Sequence, residues 1–246
     1  MIKVLVIDDS ALIRKLLVEI LNSDPDIEVI GTAPDPFVAR EKIKKLNPDV
    51  LTLDIEMPKM DGVTFLRNLM RLRPMPVVMV STLTESGAEV TLESLELGAV
   101  DYVSKPKVNV QEEMGVYAKE IIAKVKTAAK ARVRGASMPA PKPRDLSQIS
   151  AGKHFKTTDM IIAIGASTGG TEAIKDVLCQ LPPSTPGIVI TQHIPAAFSK
   201  PFAERLNKNS AMTVAEASNG QQILPGHAYV APGGKHLQVV RDGARF

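Results

Sequence analysis

Residues 3–21 read KVLVIDDSALIRKLLVEIL, and this stretch decides the fold class of the first half of the chain. It opens with a nearly continuous apolar run, typical of a strand that is covered on both faces of a parallel sheet. From Ser10 onward the apolar residues recur at helical spacing, and Ser10 is a suitable N-cap. Asp8 and Asp9 stand between the two patterns. The stretch therefore predicts a strand, an acidic loop and a helix.

The same alternation of strand and helix recurs four more times along the chain. The strand-like runs are IEVIGTA (27–33), DVLTLDI (49–55), PVVMVS (76–81) and VDYVSKP (100–106). Each run is followed by a segment with helical periodicity, the last of which is MGVYAKEIIAKVK (114–126). This order predicts a five-stranded doubly wound α/β domain over residues 1–124.

Polar side chains stand at the carboxyl ends of these predicted strands, where sheets of this class place their ligand sites. Asp54 follows the third strand, Ser81 ends the fourth and Lys105 follows the fifth. With Asp8 and Asp9, the carboxylates form an oxygen-rich group of the kind that suits Mg²⁺. The sequence therefore predicts that carboxylates, a hydroxyl and an ammonium group meet at one edge of the sheet.

A second α/β segment starts at Met160–Ile164, which predicts another buried strand. It runs into GASTG (165–169) and then into a helical pattern, TEAIKDVLCQL. The spacing fits G-x-S-x-G, in which Ser167 is a nucleophile at a sharp strand-to-helix turn. A phosphate-binding loop and a plain helix cap are the other two interpretations of a glycine-rich turn at this place.

His193 favours the nucleophile interpretation, because it directly follows the next buried strand, GIVITQ (187–192). Two neighbouring parallel strands would bring Ser167 and His193 to one edge of a sheet, and a hydroxyl needs such a base to attack a carbonyl group. A structural histidine at a strand end is the alternative. Further along, His227 and His236 lie in a Pro- and Gly-rich stretch that resembles a hairpin, and we interpret both as structural residues.

Composition limits the function classes. The chain has 246 residues, 44% of them hydrophobic, and no apolar run of signal-peptide or membrane-spanning length, so we expect a cytoplasmic globular protein. The single Cys179 cannot form an internal disulfide, and its helical context predicts a buried position. Residues 126–158 carry eight basic residues and one acidic residue, but no interleaved aromatics, which favours a solvated linker over a nucleic-acid-binding segment.

The first half resembles a response-regulator receiver domain with a flavodoxin-like fold. This resemblance implies that Asp54 accepts a phosphoryl group from a chemotaxis histidine kinase. It also implies a Mg²⁺ site made by Asp9 and Asp54, with Asp8 nearby or acting through water and the backbone carbonyl of Glu56 as a further ligand. Three switch residues complete the set: Ser81 and Lys105, which bind the phosphoryl oxygens, and Tyr102, which occupies the aromatic switch position.

The second half is similar to the catalytic domain of the chemotaxis-specific protein-glutamate methylesterases, the CheB family. The stretches that carry the resemblance are IIAIGASTGGTEAI, VITQHIPAAFSKPFAERLN and ILPGHAYVAPGGKHL. The resemblance implies hydrolysis of glutamate methyl esters, and deamidation of glutamines, on methyl-accepting chemoreceptors. Ser167 would be the nucleophile, His193 the general base, and Thr168 with Gly169 candidates for stabilising the oxyanion.

One member of the implied triad cannot be assigned. The Asp of the family would lie beyond Phe246, and Asp242 does not match its spacing. We therefore expect three parts: a receiver domain over 1–124, a basic linker over 125–158, and a methylesterase domain over 159–246 that is incomplete at its C-terminus. The alternative to a phosphorylation-regulated esterase and glutaminase is a response regulator without catalysis that binds receptors or another partner when phosphorylated.

Overall fold

The computed structural model describes residues 1–81, 85–105, 111–133 and 160–241. Most of the predicted linker, residues 125–158, lies outside this description, as do Pro106 and Asp242. The chain separates into two compact units, Met1–Pro139 and Ala140–Phe246. The last helix of the first unit continues to Ala128, so the first residues that the sequence assigned to the linker are helical.

The first unit is a parallel α/β layer structure, as predicted. Its strands are β1 (Ile2–Ile7), β2 (Ile27–Ala33), β3 (Val50–Asp54), β4 (Val77–Ser81) and β5 (Asp101–Ser104). Its helices are α1 (Ala11–Asn22), α2 (Pro36–Leu46), α3 (Gly62–Leu72), α4 (Glu85–Glu96) and α5 (Gln111–Ala128). The strand order is β2-β1-β3-β4-β5, which places β1 and β3 side by side in the middle of the sheet.

Local chemistry explains where these elements start. Ser10 caps α1 by accepting a hydrogen bond from the amide of Ile13, as the sequence predicted. Asp35 and Asp61 cap α2 and α3 in the same way. The residues of β3 and β4 are all buried, because helices cover both faces of the sheet. The functional side chains therefore project from strand ends that the core holds firmly.

The second unit is also a parallel α/β structure. Its elements are β6 (Ile161–Ala166), α6 (Gly170–Leu178), β7 (Gly187–Gln192), α7 (Ala196–Asn209), β8 (Thr213–Glu216) and β9 (His227–Val230). The strand order is β6-β7-β9-β8, and all pairs are parallel. The fold class predicted for this half, a second parallel α/β domain, is thus confirmed.

Three local expectations for this unit were wrong. The stretch around His227 is not a hairpin, because β9 inserts between β7 and β8 and runs parallel to both. The strand β6 is not buried, because within the described residues it lies at the edge of the sheet, with exposed and half-buried positions. Cys179 is exposed, since it caps the C-terminal end of α6 rather than facing the core.

No helix in the described parts of the chain combines the length and the apolar character needed to cross a membrane.

Candidate functional site

The predicted carboxylate cluster is present in the first unit. Asp8 and Asp9 follow β1 and Asp54 ends β3, and these two strands are neighbours in the sheet. One carboxylate oxygen from each residue lies within 4.8 Å of those of the other two. Asp8 and Asp54 are fully buried, whereas Asp9 is exposed. Two buried acids and one exposed acid thus face a common point.

Lys105 lies against this cluster, as its place after β5 predicted. Its Nζ donates to Oδ2 of Asp54 at 2.8 Å, and the Oδ1 of Asp54 accepts from the amide of Glu56 at 3.3 Å. Burial raises the pKa of Asp54 to about 6, the hydrogen bond from Lys105 opposes this, and the charge of Asp8 adds to it. Burial lowers the pKa of Lys105, but the hydrogen bond to Asp54 and the negative charges of the three carboxylates together leave this pKa above its ordinary value.

The residues fit a divalent cation. Burial raises the pKa of Asp8, and its Oδ1 accepts from the amide of Ser10 at 2.8 Å. Its Oδ2 is buried and has no hydrogen-bond partner within the described residues. A buried carboxylate oxygen without a partner is costly unless a positive charge or a donor faces it. Asp8, Asp9 and Asp54 are hard oxygen ligands of the kind that Mg²⁺ prefers.

Two of the predicted switch residues, Ser81 and Tyr102, lie on β4 and β5, which follow β3 in the sheet. Ser81 is buried at the end of β4, and its Oγ is 2.8 Å from Oγ1 of Thr91 on α4. It lines a pocket of about 520 Å³ together with Glu56 and Gly87. The hydroxyl that the receiver resemblance assigns to phosphoryl binding therefore contacts α4 in this structure.

Tyr102 is held by a residue that the sequence analysis did not single out. Lys124 of α5 donates to the backbone carbonyl of Tyr102 at 2.6 Å, and its Nζ lies 5.0 Å from the centre of the Tyr102 ring. The same ammonium pairs with Glu120 at 3.0 Å and with Asp101 at 3.4 Å. A signal existed, because Lys124 interrupts the buried stripe of α5 that contains Ile121 and Ala128. A charge on such a stripe requires buried partners.

In the second unit, β6 and β7 bring Ser167 and His193 to the same end of the sheet. Ala166 and Gln192 are register partners, so each of the two predicted site residues is the next one beyond a paired position. The amide of His193 donates to the carbonyl of Ala166 at 3.2 Å, which continues the ladder to this point. Neighbouring strands are about 4.8 Å apart. Both residues are exposed, and no hydrogen bond joins their side chains in the described part of the chain.

The turn after Ser167 leads directly into α6. The carbonyl of Ser167 accepts from the amide of Gly170 at 2.7 Å, and Gly169 adopts a left-handed φ of 73°. Gly169 supplies no side-chain cap, so the first amides of the helix are not satisfied by it. Thr168 and Gly169 thus lie at a helix start whose N–H groups favour negative charge.

The segment after His193 is fixed by a buried hydroxyl that the sequence analysis missed. Ser199 of α7 donates to Oε1 of Glu216 at 2.5 Å and accepts from the amide of Gly233 at 2.9 Å. Gly233 packs so closely that a Cβ there would lie 2.5 Å from the backbone of Pro195. The loop after β9 therefore holds Pro195, the N-cap residue of α7, two residues beyond His193.

Comparison with known proteins agrees with this division of the chain. The CheB methylesterase family matches residues 162–245, and the response regulator receiver domain family matches residues 4–114. A protein-glutamate methylesterase/protein-glutamine glutaminase from Xanthomonas campestris is 58% identical over 250 residues, covering all of this chain and 70% of its own. The enzyme of the same name from Nitrosomonas europaea is 58% identical over 247 residues, covering all of this chain and 69% of its own.

Among solved structures, the response regulator domain of CheB from Thermotoga maritima is similar to this chain. The two are 43% identical with a TM-score of 0.49, and the match covers 54% of this chain and 98% of that one.

Proposed function

This chain belongs to the CheB family of protein-glutamate methylesterases/protein-glutamine glutaminases, and on that premise we propose that it hydrolyses glutamate methyl esters and deamidates glutamines on chemoreceptors. We further propose that phosphorylation at Asp54 regulates this hydrolysis. The observation that carries the hydrolase assignment is the placement of Ser167 and His193 one residue beyond paired positions of β6 and β7. Two adjacent strand ends can present a nucleophile and a base to one substrate carbonyl group.

In the proposed reaction, Ser167 Oγ attacks the ester carbonyl carbon while the His193 ring accepts the hydroxyl proton. The tetrahedral intermediate collapses as His193 returns the proton to the leaving methoxy group, which departs as methanol. Water then attacks the acyl-enzyme with His193 again as base, and glutamate and free Ser167 are regenerated. For a glutamine substrate the same steps release ammonia.

The amides at the start of α6 are the proposed oxyanion donors. Within the described residues the amides of Thr168 and Gly169 donate no hydrogen bond, so their N–H groups are available to a developing negative charge. One such donor contributes about 2.7 to 4 kcal/mol to the stabilisation of the transition state in serine hydrolases. The exposed position of Ser167 is consistent with a protein substrate that approaches from solution.

Asp54 is the proposed phosphorylation site, and a chemotaxis histidine kinase is the proposed donor. Asp54 is buried against Lys105 and shares its site with Asp8 and Asp9. Asp8, Asp9, Asp54 and the carbonyl of Glu56 would hold Mg²⁺, which supplies positive charge to the phosphoryl group. Lys105 is already within 2.8 Å of Asp54 and would bind a phosphoryl oxygen once Asp54 is modified. Because the proposed substrates are the cytoplasmic helices of chemoreceptors, we propose that the protein acts in the cytoplasm.

Replacement of the nucleophile tests the hydrolase assignment. Ser167→Ala should abolish methanol release from methylated chemoreceptors with no loss of thermal stability, because it removes one hydroxyl from an exposed turn. Ser184→Ala, in another exposed turn, is the matched control and should keep the native rate. His193→Ala should match Ser167→Ala, since members of one catalytic unit are not additive. Native methanol release by Ser167→Ala would exclude serine catalysis, and binding of receptors without release by the native chain would favour the non-catalytic alternative.

A further inference from the structure

The side chain of Gln192 spans the ends of the two strands that carry Ser167 and His193. Its Nε2 donates to the carbonyl of Ser167 at 2.9 Å and lies 3.4 Å from the carbonyl of His193. Both partners are acceptors, so the amide nitrogen, and not the oxygen, has to face them. One side chain thus contacts the backbone of both residues to which hydrolysis is assigned.

These contacts complete the backbone bonding at the two strand ends. The carbonyl of Ser167 accepts from the amide of Gly170 at 2.7 Å as well as from Gln192, which uses both of its lone pairs. The amide of His193 is already bound to the carbonyl of Ala166. The Gln192 side chain thus links the carbonyl of Ser167 to the carbonyl of His193, just beyond the last paired residues of β6 and β7.

The turn is built to accommodate this amide. A Cβ on Gly170 would lie 2.2 Å from Oε1 of Gln192 and 2.6 Å from the Cβ of Ala166, closer than atoms approach. Gly170 has an ordinary helical position, so its lack of a side chain serves this close contact rather than an unusual φ angle. The glycine and the glutamine therefore form one packed unit.

The unit is costly for stability. The Oε1 of Gln192 is buried and has no hydrogen-bond partner among the described residues. An unsatisfied buried acceptor costs about 1 to 3 kcal/mol, and an apolar side chain of the same size avoids that cost. A leucine would fill the space without an unsatisfied atom, so folding stability alone does not favour glutamine here.

We propose that Gln192 is a positioning residue for hydrolysis, which ties the backbone of Ser167 to that of His193, with Gly170 providing the space that its amide requires. The proposal rests on the hydrolytic roles of Ser167 and His193. Gln192 would act by fixing the distance between the two residues, because a displacement of the nucleophile from the base by about 1 Å can lower the rate of reaction about 100-fold.

Three variants of the full chain test this role by methanol release from methylated chemoreceptors. Gln192→Leu should lower kcat about 10- to 100-fold with KM within about twofold of native, because only the alignment of the reacting groups is lost. Its melting temperature should stay close to that of the native chain, since removal of the unsatisfied Oε1 offsets the loss of the Nε2 hydrogen bonds. Gly170→Ala should lower kcat in the same direction, because it displaces the Gln192 amide.

Gln192→Glu keeps the shape but presents carboxylate oxygens to two carbonyls. Its kcat relative to native should be lowest at high pH and recover as the carboxyl group gains a proton and becomes a donor. Gln180→Leu is the control, because Gln180 also donates to one backbone carbonyl, that of Asp176, but lies in the exposed turn after α6. It should keep the native kcat and pH profile.

The outcomes separate this inference from the proposed function. A native kcat in Gln192→Leu, with Ser167→Ala inactive, overturns the role of Gln192 alone. Methanol release by Ser167→Ala overturns the hydrolase assignment instead. Hydrogen exchange at the amides of Gly170 and His193 gives a result without turnover: it should be faster in Gln192→Leu than in the native chain and Gln180→Leu, and equal rates would overturn the proposal.

Discussion

At the scale of the residue, Asp54 has the most strongly shifted pKa of the carboxylate cluster formed by Asp8, Asp9 and Asp54. Its ordinary pKa of 3.8 rises to about 6, chiefly because burial disfavours the charged form, while Lys105 opposes the change. An acid whose pKa is higher in the folded state than in the unfolded state stabilises the fold below the unfolded pKa. That contribution is lost as the pH rises through the folded pKa. For Asp54 this stability is lost as the pH rises from about 4 to about 6.

The raised pKa of Asp54 predicts how Mg²⁺ binding depends on pH. Below pH 6 the cation has to displace a proton from Asp54, so its apparent affinity should fall by up to about tenfold per pH unit. Thermal-shift titrations with Mg²⁺ at pH 5, 6, 7 and 8 measure this dependence. Asp54→Asn should remove the step near pH 6, and Asp49→Asn, an acid outside the cluster, should retain it. A midpoint in Mg²⁺ concentration that does not change with pH would contradict the prediction.

At the scale of the element, the start of α3 is packed directly on the end of β3. Gly62 is the first residue of the helix, its amide donates to the carbonyl of Ile55 at 2.8 Å, and a Cβ there would lie 2.0 Å from the carbonyl oxygen of Asp54. A Cβ at this position would collide with the backbone of Asp54, and the end of β3 would have to move to relieve the collision. The position of Asp54 therefore depends on the absence of a side chain at Gly62.

Two glycine-to-alanine changes separate this contact from helix propensity. Gly62→Ala should destabilise the first unit by about 1 to 3 kcal/mol through overpacking, and should slow phosphorylation because Asp54 moves. Gly115→Ala, in α5 with no atom near its Cβ, should stabilise the helix by about 0.5 to 1 kcal/mol. Urea denaturation measures both changes. Equal effects of the two substitutions would show that the contact at Gly62 is unimportant.

The sequence was most informative where local rules and the fold agree. Apolar runs predicted β1 to β5. The positions of Asp54, Lys105 and the pair Asp8 and Asp9 at strand ends predicted that these side chains lie close together. It was less informative about β9, because a short strand with glycine and proline on both sides looks the same whether it forms a hairpin or inserts in parallel between β7 and β8. Gln192 and Lys124 were missed for another reason. The contacts of Gln192 join segments distant in sequence, and a single residue gives no periodic signal of them. Lys124 interrupts the buried stripe of α5, but the sequence does not show that its partners lie on β5.

At the scale of the whole molecule, the two units carry separate chemistries on one chain. The first unit, Met1–Pro139, holds the carboxylate cluster, and the second, Ala140–Phe246, holds Ser167 and His193. The proposed phosphorylation of Asp54 would add charge there and offer new partners to Lys105 and Ser81, and it would thereby shift the loops of the first unit between two arrangements. Such a change would alter the ratio of the two loop arrangements, and a partial change in that ratio would give graded control of hydrolysis.

Control of hydrolysis by Asp54 is testable in the full chain. A small phosphodonor with Mg²⁺ should label the native chain and increase methanol release. Asp54→Asn should abolish both the label and the increase while retaining the basal rate, whereas Asp49→Asn should behave as native. Acid-stable, hydroxylamine-sensitive label in Asp54→Asn at the native level would refute the assignment of the site. Acceleration that persists without the label would refute regulation through it.

The strand order of the second unit has a consequence for the nascent chain. The strand β8 is synthesised before β9, yet its sheet partner within the described residues is β9, which also pairs with β7. While the ribosome is still adding residues before His227, β6 and β7 can pair, but β8 has no strand to join. The sheet is therefore joined into one only after the four residues His227–Val230 have been added. Translation rate across this region sets how long the edge of β7 stays exposed to other chains.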